Sequence, residues 1–102
     1  MSRRRVLGAL AALALALPAS HAADVARGAK IYALHCASCH GATGVSVMPT
    51  APNFARSERM LQPDVQLLMA IKAGRAAMPA YAGVLPDRDI YDVIAYMRTL
   101  RR

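Results

Sequence analysis

One short segment dominates what this chain of 102 residues can become: Cys36-Ala37-Ser38-Cys39-His40, which holds both of its cysteines. Cysteines three positions apart lie on one face of a helical turn. Their sulfurs can therefore reach two points along one edge of a flat group, while the adjacent histidine presents its imidazole to that group's centre. Other uses of the pattern fail on supply. A structural zinc site needs four ligands, and beyond the motif the chain after residue 22 offers only His35, too near in sequence to help. A thioredoxin-like redox pair belongs in strand–helix alternation, and no segment alternates with period two for long. A plain disulfide leaves His40 without a role. The C-x-x-C-H run is the attachment pattern of c-type haem. The expected cofactor is one covalent haem c, linked through Cys36 and Cys39, with His40 as an axial ligand of the iron.

The amino end reads as an address. Ser2-Arg3-Arg4-Arg5 is a basic head, residues 6–17 are an uncharged run rich in leucine and alanine, and Ser20-His21-Ala22 puts small residues at −3 and −1 of a cleavage site. An apolar run of 12 residues falls short of the roughly 20 that cross a bilayer. The expected organisation is a cleavable secretory signal over 1–22 and one domain over 23–102, exported to the periplasm. An uncleaved signal would leave the domain membrane-anchored.

Export also corrects the charge. The formal +7 comes from 13 basic and 6 acidic residues, but Arg3, Arg4 and Arg5 leave with the signal, so the remaining 80 residues carry +4. Two ionised haem propionates would lower that to about +2, and no nucleic-acid partner is expected. There is no Gly-rich phosphate loop, no Ser/His/Asp set and no metalloprotease pattern. With one phenylalanine and no tryptophan, a domain this small buries a marginal core and needs a staple.

Three helices are expected. Asp24 can cap a first helix over 24–37, with Val25, Gly28, Ala29 and Tyr32 at helical spacing. Pro63 and Asp64 can open a second, in which Val65, Leu68, Met69 and Lys72 fall at i, i+3, i+4 and i+7, and Gly74 can close it. The last runs over 87–100, with Ile90, Val93, Ile94 and Met97 as an apolar stripe and Tyr96 beside it. Asp87 and Asp89 suit its positive end, and Arg98, Arg101 and Arg102 its negative end. Between the first two lies a long aperiodic stretch, 41–62, of the kind that wraps around something.

The iron's other face needs a ligand. Met60, Met69 and Met97 fall in or near apolar helical faces, where methionine usually fills core. Met48, close behind the motif, competes. Met78 stands apart in the irregular stretch Gly74-Arg75-Ala76-Ala77-Met78-Pro79-Ala80-Tyr81. Pro79 keeps the residue before it extended, so a side chain there can lie across a cofactor, and Met78 is the expected second axial ligand.

Residues 23–102 resemble a small class I bacterial monohaem cytochrome c over nearly their whole length. The matching residues are Gly28, Tyr32, Cys36-x-x-Cys39-His40-Gly41, Ala51-Pro52-Asn53-Phe54, Met78-Pro79-Ala80-Tyr81 and Ile94-Ala95-Tyr96-Met97. The resemblance implies an all-α cytochrome c fold whose first and last helices cross where Gly28 meets an aromatic such as Tyr96. It also implies that the Pro52 carbonyl accepts the free ring N–H of His40. Two departures stand out: Pro86 replaces a common Ser or Thr cap, and no tryptophan is present to meet a haem propionate. Tyr81, Arg75 or Lys72 could serve the propionates instead.

Histidine and methionine together would close both axial positions, leaving no place for oxygen, peroxide or substrate. That suits a periplasmic one-electron carrier between a respiratory donor and an oxidase or reductase, not an enzyme. An identical motif set would serve a dedicated cytochrome subunit or maturation partner of a single periplasmic reductase or dehydrogenase. A small enzyme or gas sensor would instead require Met78 off the iron. Partners should approach the haem edge, with Lys72 and Arg75 just ahead of Met78 as its cationic rim. The thin core gives a direct expectation. Ordering the long loops costs roughly 1–2 kcal/mol of backbone entropy per residue, so the Cys36→Ala, Cys39→Ala double variant should be largely unfolded. Circular dichroism against temperature checks this; a cooperative transition near the holoprotein's would contradict it.

Overall fold

The structure is a computed structural model that describes Gly8 and residues 22–102. Apart from Gly8 and Ala22, the expected signal therefore lies outside the described residues. In chain order the elements are α1 (Val25–His35), α2 (Ala37–His40), a 3₁₀ turn (Phe54–Arg56), α3 (Asp64–Ala73) and α4 (Asp87–Arg98). Among the described residues there is no strand, only one isolated bridge between Arg75 and Met78. The architecture is all-α.

Asp24 caps α1 as its position suggests, accepting the Arg27 N–H on its side chain at 3.0 Å. The helix does not run through to 37. It breaks at Cys36 (φ −115°, ψ −37°), and α2 restarts one residue later. Pro63 and Pro86 precede α3 and α4 without any side-chain cap, yet both helices begin at the aspartate that follows. Those aspartates complement the helix dipole in place of the missing cap.

The apolar stripe of α4 is buried as expected, through Ile90, Val93, Ile94 and Met97. The phase expected for α3 is corrected. Leu67 and Leu68 are buried and Ile71 is partly so, whereas Val65 is exposed and Met69 is 65% exposed, so Met69 fills no core. Nearly every position from Val65 to Ile71 is apolar, and a helix apolar most of the way round does not announce its inner face. Contact with α4 and the cavity selects Leu67, Leu68 and Ile71.

α1 packs across α4, and the crossing point is Gly28. A Cβ built there would lie 2.0 Å from the Asp92 carbonyl oxygen and 3.0 Å from Val93 N. The close approach is therefore helix backbone on helix backbone. It does not involve the Tyr96 ring, which meets Tyr32 edge-on at 5.2 Å instead. The long stretch between α2 and α3 is anchored at several points. Ala55 N donates to Gly44 O and Arg102 N to Ala55 O, while Asn53 Oδ1 caps the 3₁₀ turn. Arg98 gathers its end, donating to Met60 O at 2.7 Å, Gln62 O at 2.9 Å and Asp64 Oδ1 at 2.6 Å.

Alanine at an interior helical glycine ordinarily gains up to about 1 kcal/mol in propensity. At Gly28 the collision is with backbone, which cannot rotate away, and overpacking of this kind costs about 1–3 kcal/mol. With the would-be Cβ only 2.0 Å from a backbone oxygen the cost wins, and Gly28→Ala should lower the holoprotein's melting temperature by about 4–8 °C for each net kcal/mol lost, as read in a thermal melt; an unchanged or raised value would contradict the packing.

Candidate functional site

The break at Cys36 arranges the motif. His40 N and Cys39 N both donate to Cys36 O, at 3.0 and 3.2 Å, so one tight turn carries both thiols and the imidazole. Gly41 ends that turn at φ +83°, and a Cβ there would lie 1.9 Å from Val45 O, so only glycine lets the chain double back beneath the motif. The Gly41 carbonyl accepts the buried Tyr32 hydroxyl at 2.6 Å and the Gly44 N–H at 3.2 Å.

His40 is buried. Its Nδ1 lies 3.1 Å from the Pro52 carbonyl, an oxygen that can only accept, so Nδ1 carries the proton. That assigns the lone pair to Nε2, the nitrogen suited to a metal. Phe54 stacks on the ring at 4.4 Å with an 18° interplanar angle, so the imidazole is held in both tilt and rotation. The Pro52 contact implied by the family resemblance is present. Phe54's stacking on His40 is a further constraint that residue type alone does not disclose.

These side chains face a cavity of about 560 Å³, within the roughly 300–1,000 Å³ typical of cofactor sites. Cys36, Cys39 and His40 line it, as do Met78, Met48 and Met97. Both cysteines are free and half-buried. Burial pushes the Cys36 thiol up to about 11, with the neighbouring Cys39 adding to the shift. Met60 and Met69 are not among the lining residues. The structure thus brings four expected site residues, Cys36, Cys39, His40 and Met78, to one cavity, and brings the competitor Met48 there as well.

Met78 owes its position to a tight turn. Arg75 N donates to Met78 O at 3.0 Å and Met78 N to Arg75 O at 2.9 Å, with Ala76 left-handed at φ +51°. Gly74, at φ +69°, has Ala80 N, Met78 O and Pro79 C all within 2.8 Å of a would-be Cβ. Tyr81 N and Ala82 N then bond back to Ile71 O and Lys72 O of α3. The Tyr81 hydroxyl donates to His35 O at 3.0 Å, tying the methionine loop to the end of α1.

That bond redirects two expectations. Tyr81 lines the cavity, but its hydroxyl is committed to His35, whose exposed ring packs edge-on against it at 5.6 Å and also borders the cavity. Lys72 is absent from the cavity wall and pairs with Asp87 at 2.9 Å. The arginines on the wall are Arg75 and Arg59. Arg59 escaped the sequence reading because its left-handed backbone (φ +64°) leaves no periodic signal.

The residues present fit a haem. Paired thiols, an imidazole with a free Nε2, a thioether, an apolar wall and two guanidinium groups suited to carboxylates meet at one cavity. Tyr32 supports it from below, and burial, ahead of the nearby Cys36 and Tyr96, pushes its phenol up to about 12. An unfolded phenol titrates near 10, so the stability from neutral Tyr32 is intact below pH 10 and lost as pH rises toward 12. Tyr32→Phe removes one of the two donors on Gly41 O, leaving the Gly44 N–H at 3.2 Å, and should cost on the order of 0.5–1.5 kcal/mol at pH 7. The gap between variant and wild type should narrow by pH 11, as urea melts at the two pH values will read.

Comparison with known proteins agrees with the geometry. Residues 23–97 match the family described as "Cytochrome C oxidase, cbb3-type, subunit III". Cytochrome c6 of Thermosynechococcus vestitus is 38% identical over 91 residues, covering 87% of this chain and 81% of the relative. Cytochrome c6 of Thermostichus vulcanus is 39% identical over 93 residues, covering 84% and 83%. That of the alga Gracilaria tenuistipitata var. liui is 35% identical over 78 residues, covering 74% and 72%.

Proposed function

The chain belongs to the small class I monohaem cytochromes c and binds one covalent haem c, and on that footing we propose that it is a periplasmic one-electron carrier with His40 and Met78 on the two faces of the iron. The observation that carries this reading is the commitment of His40 Nδ1 to Pro52 O at 3.1 Å, which leaves Nε2 as a fixed donor toward the cavity. Haem c, once attached, supplies the one-electron couple. Everything else is the work of the chain.

Met78 is the second axial ligand. Its rival Met48 belongs to the segment that carries Pro52 and is tied to the motif itself, through Val47 N to Cys39 O at 3.1 Å. Met48 is thus fastened to the same segment that holds the histidine. Met78 hangs from α3, a separate element bordering the same cavity. Histidine and thioether together leave the iron no position for substrate, so the protein carries electrons and is not an enzyme. A soft thioether and an apolar wall both disfavour the extra ferric charge and raise the potential. Arg59 and Arg75, both on the cavity wall, would pair with the haem carboxylates.

Residues 1–22 direct export and are then removed by cleavage after Ala22. No helix among the described residues is long and apolar enough to cross a membrane. Electrons pass from a respiratory donor to an oxidase or reductase. The description of the matching family as an oxidase subunit favours one other reading, a cytochrome dedicated to a single enzyme; purification from the periplasm as a free monomer would count against it.

The ligand assignment is tested by variants of the exported holoprotein. Met78→Ala should abolish the near-red methionine–iron absorption of the ferric form, open the iron to carbon monoxide when reduced, and lower the potential. Met48→Ala should keep the band, the closed iron and the potential. If Met48→Ala is the variant that loses the band, the axial ligand comes from the loop behind the motif and the proposal is wrong.

A further inference from the structure

Where α1 crosses α4, one carboxylate is only half satisfied. Asp92 is 3% exposed, and its Oδ1 accepts the Asp24 N–H at 2.8 Å. Its Oδ2 is buried with no hydrogen-bond partner among the described residues, and Arg27 Nε stands 3.8 Å away, beyond hydrogen-bond reach. Arg27 is otherwise engaged, donating through Nε and Nη2 to the two oxygens of Asp89 at 3.1 and 3.2 Å. On the α3 side of α4, Lys72 is held by Asp87 and Asp64 by Arg98. At this corner Asp89 and Asp92 share the guanidinium of Arg27, while the Asp24 side chain takes only the Arg27 backbone N–H. A buried carboxylate oxygen with no donor is costly, and the helix crossing that depends on Gly28 is built directly over it.

We propose that Asp92 Oδ2 is the receptor for the α-ammonium group created when the chain is cut between Ala22 and Ala23. The inference rests on the cleavage proposed above. A peptidase acting on exported proteins hydrolyses the Ala22–Ala23 amide. One water is consumed, Ala22 leaves with a new carboxylate, and Ala23 keeps the nitrogen as an ammonium. Both residues are exposed, so the bond is open to attack. Because Asp24 N already rests on Oδ1, the new amine lies one residue upstream, where successive Cα atoms are about 3.8 Å apart. Free rotation at a chain end and a side chain no larger than methyl let it turn onto Oδ2. The uncut chain offers there a single uncharged N–H. The cut chain offers three donors and a full positive charge, the kind of partner a buried carboxylate requires. Processing thus completes the α1–α4 crossing after export, adding to the end of α1 a bond that the precursor lacks.

The test uses holoprotein exported with its own leader. Intact mass identifies the first residue, and a pH titration of the Ala23 resonances in the reduced state reads its amine. The expected result is a chain beginning at Ala23 whose amine titrates about one unit above the usual 7.7–8.0. An extra glycine inserted between Ala22 and Ala23 moves the amine away without touching Asp92. It should restore the ordinary midpoint and lower the melting temperature below pH 8, a difference that disappears above the wild-type midpoint, where the ammonium is lost. Asp92→Asn should abolish the shift as well. A chain that begins at Ala23 with an ordinary midpoint overturns the pairing and leaves the cleavage standing, as does a glycine-extended chain that keeps the shift. A different first residue overturns both.

Discussion

The contact on which the site depends is the meeting of α1 and α4 at Gly28, where a hydrogen atom takes the place a side chain would need against the Asp92 carbonyl. At that spacing Tyr32 drops between the helices, almost wholly buried, with its ring against Tyr96 and its hydroxyl on Gly41 O. Gly41 is the residue at which the chain reverses beneath the motif. The helix crossing and the histidine turn are therefore mechanically continuous. Widening the crossing by one methyl group would move Tyr32, and with it the turn that presents Cys36, Cys39 and His40.

The cavity is built by loops more than by helices, and the loops are held by specific bonds because so few large side chains are available. Phe54 is stacked on His40. Pro52 supplies a carbonyl and not a side chain. Arg98 holds two backbone carbonyls and the Asp64 carboxylate at once, which closes the long stretch before α3 without burying more apolar surface. The methionine loop is fastened at Gly74, to α3 and to His35. Such anchors set geometry more than they add net stability, since each exchanges a hydrogen bond with water for one within the protein. The cofactor must supply much of what a larger core would.

Charge at the surface follows the same economy. Lys72 is held by Asp87 and Arg98 by Asp64, so neither is an unpaired cation beside the haem edge. Arg59 and Arg75, which border the cavity, carry the positive character there. Asp92 is the exception, a buried anion under a helix end.

Much was legible in the residues themselves. The motif names its cofactor because spacing alone dictates which atoms can reach one haem edge. The α4 stripe at Ile90, Val93, Ile94 and Met97 is unambiguous because the remaining positions on that helix are polar or aromatic, apart from the small Ala95. Asp24, Gly74 and the two prolines mark helix ends through local backbone chemistry, which needs no distant partner. What only the tertiary structure decided has the opposite character. The inner face of α3 was settled by α4, since its apolar residues run nearly all the way round. Gly28 was readable as a point of close approach, but its partner proved to be the Asp92 backbone and not the Tyr96 ring. The hydroxyl of Tyr81 was claimed by His35 O across 46 positions, and Lys72 by Asp87. Nothing local sets Asp92 apart from the other aspartates of α4; the start of α1 is what covers it. Periodicity and capping are properties of neighbouring residues; burial, ion pairing and orphaned oxygens belong to segments that meet only after the chain has folded.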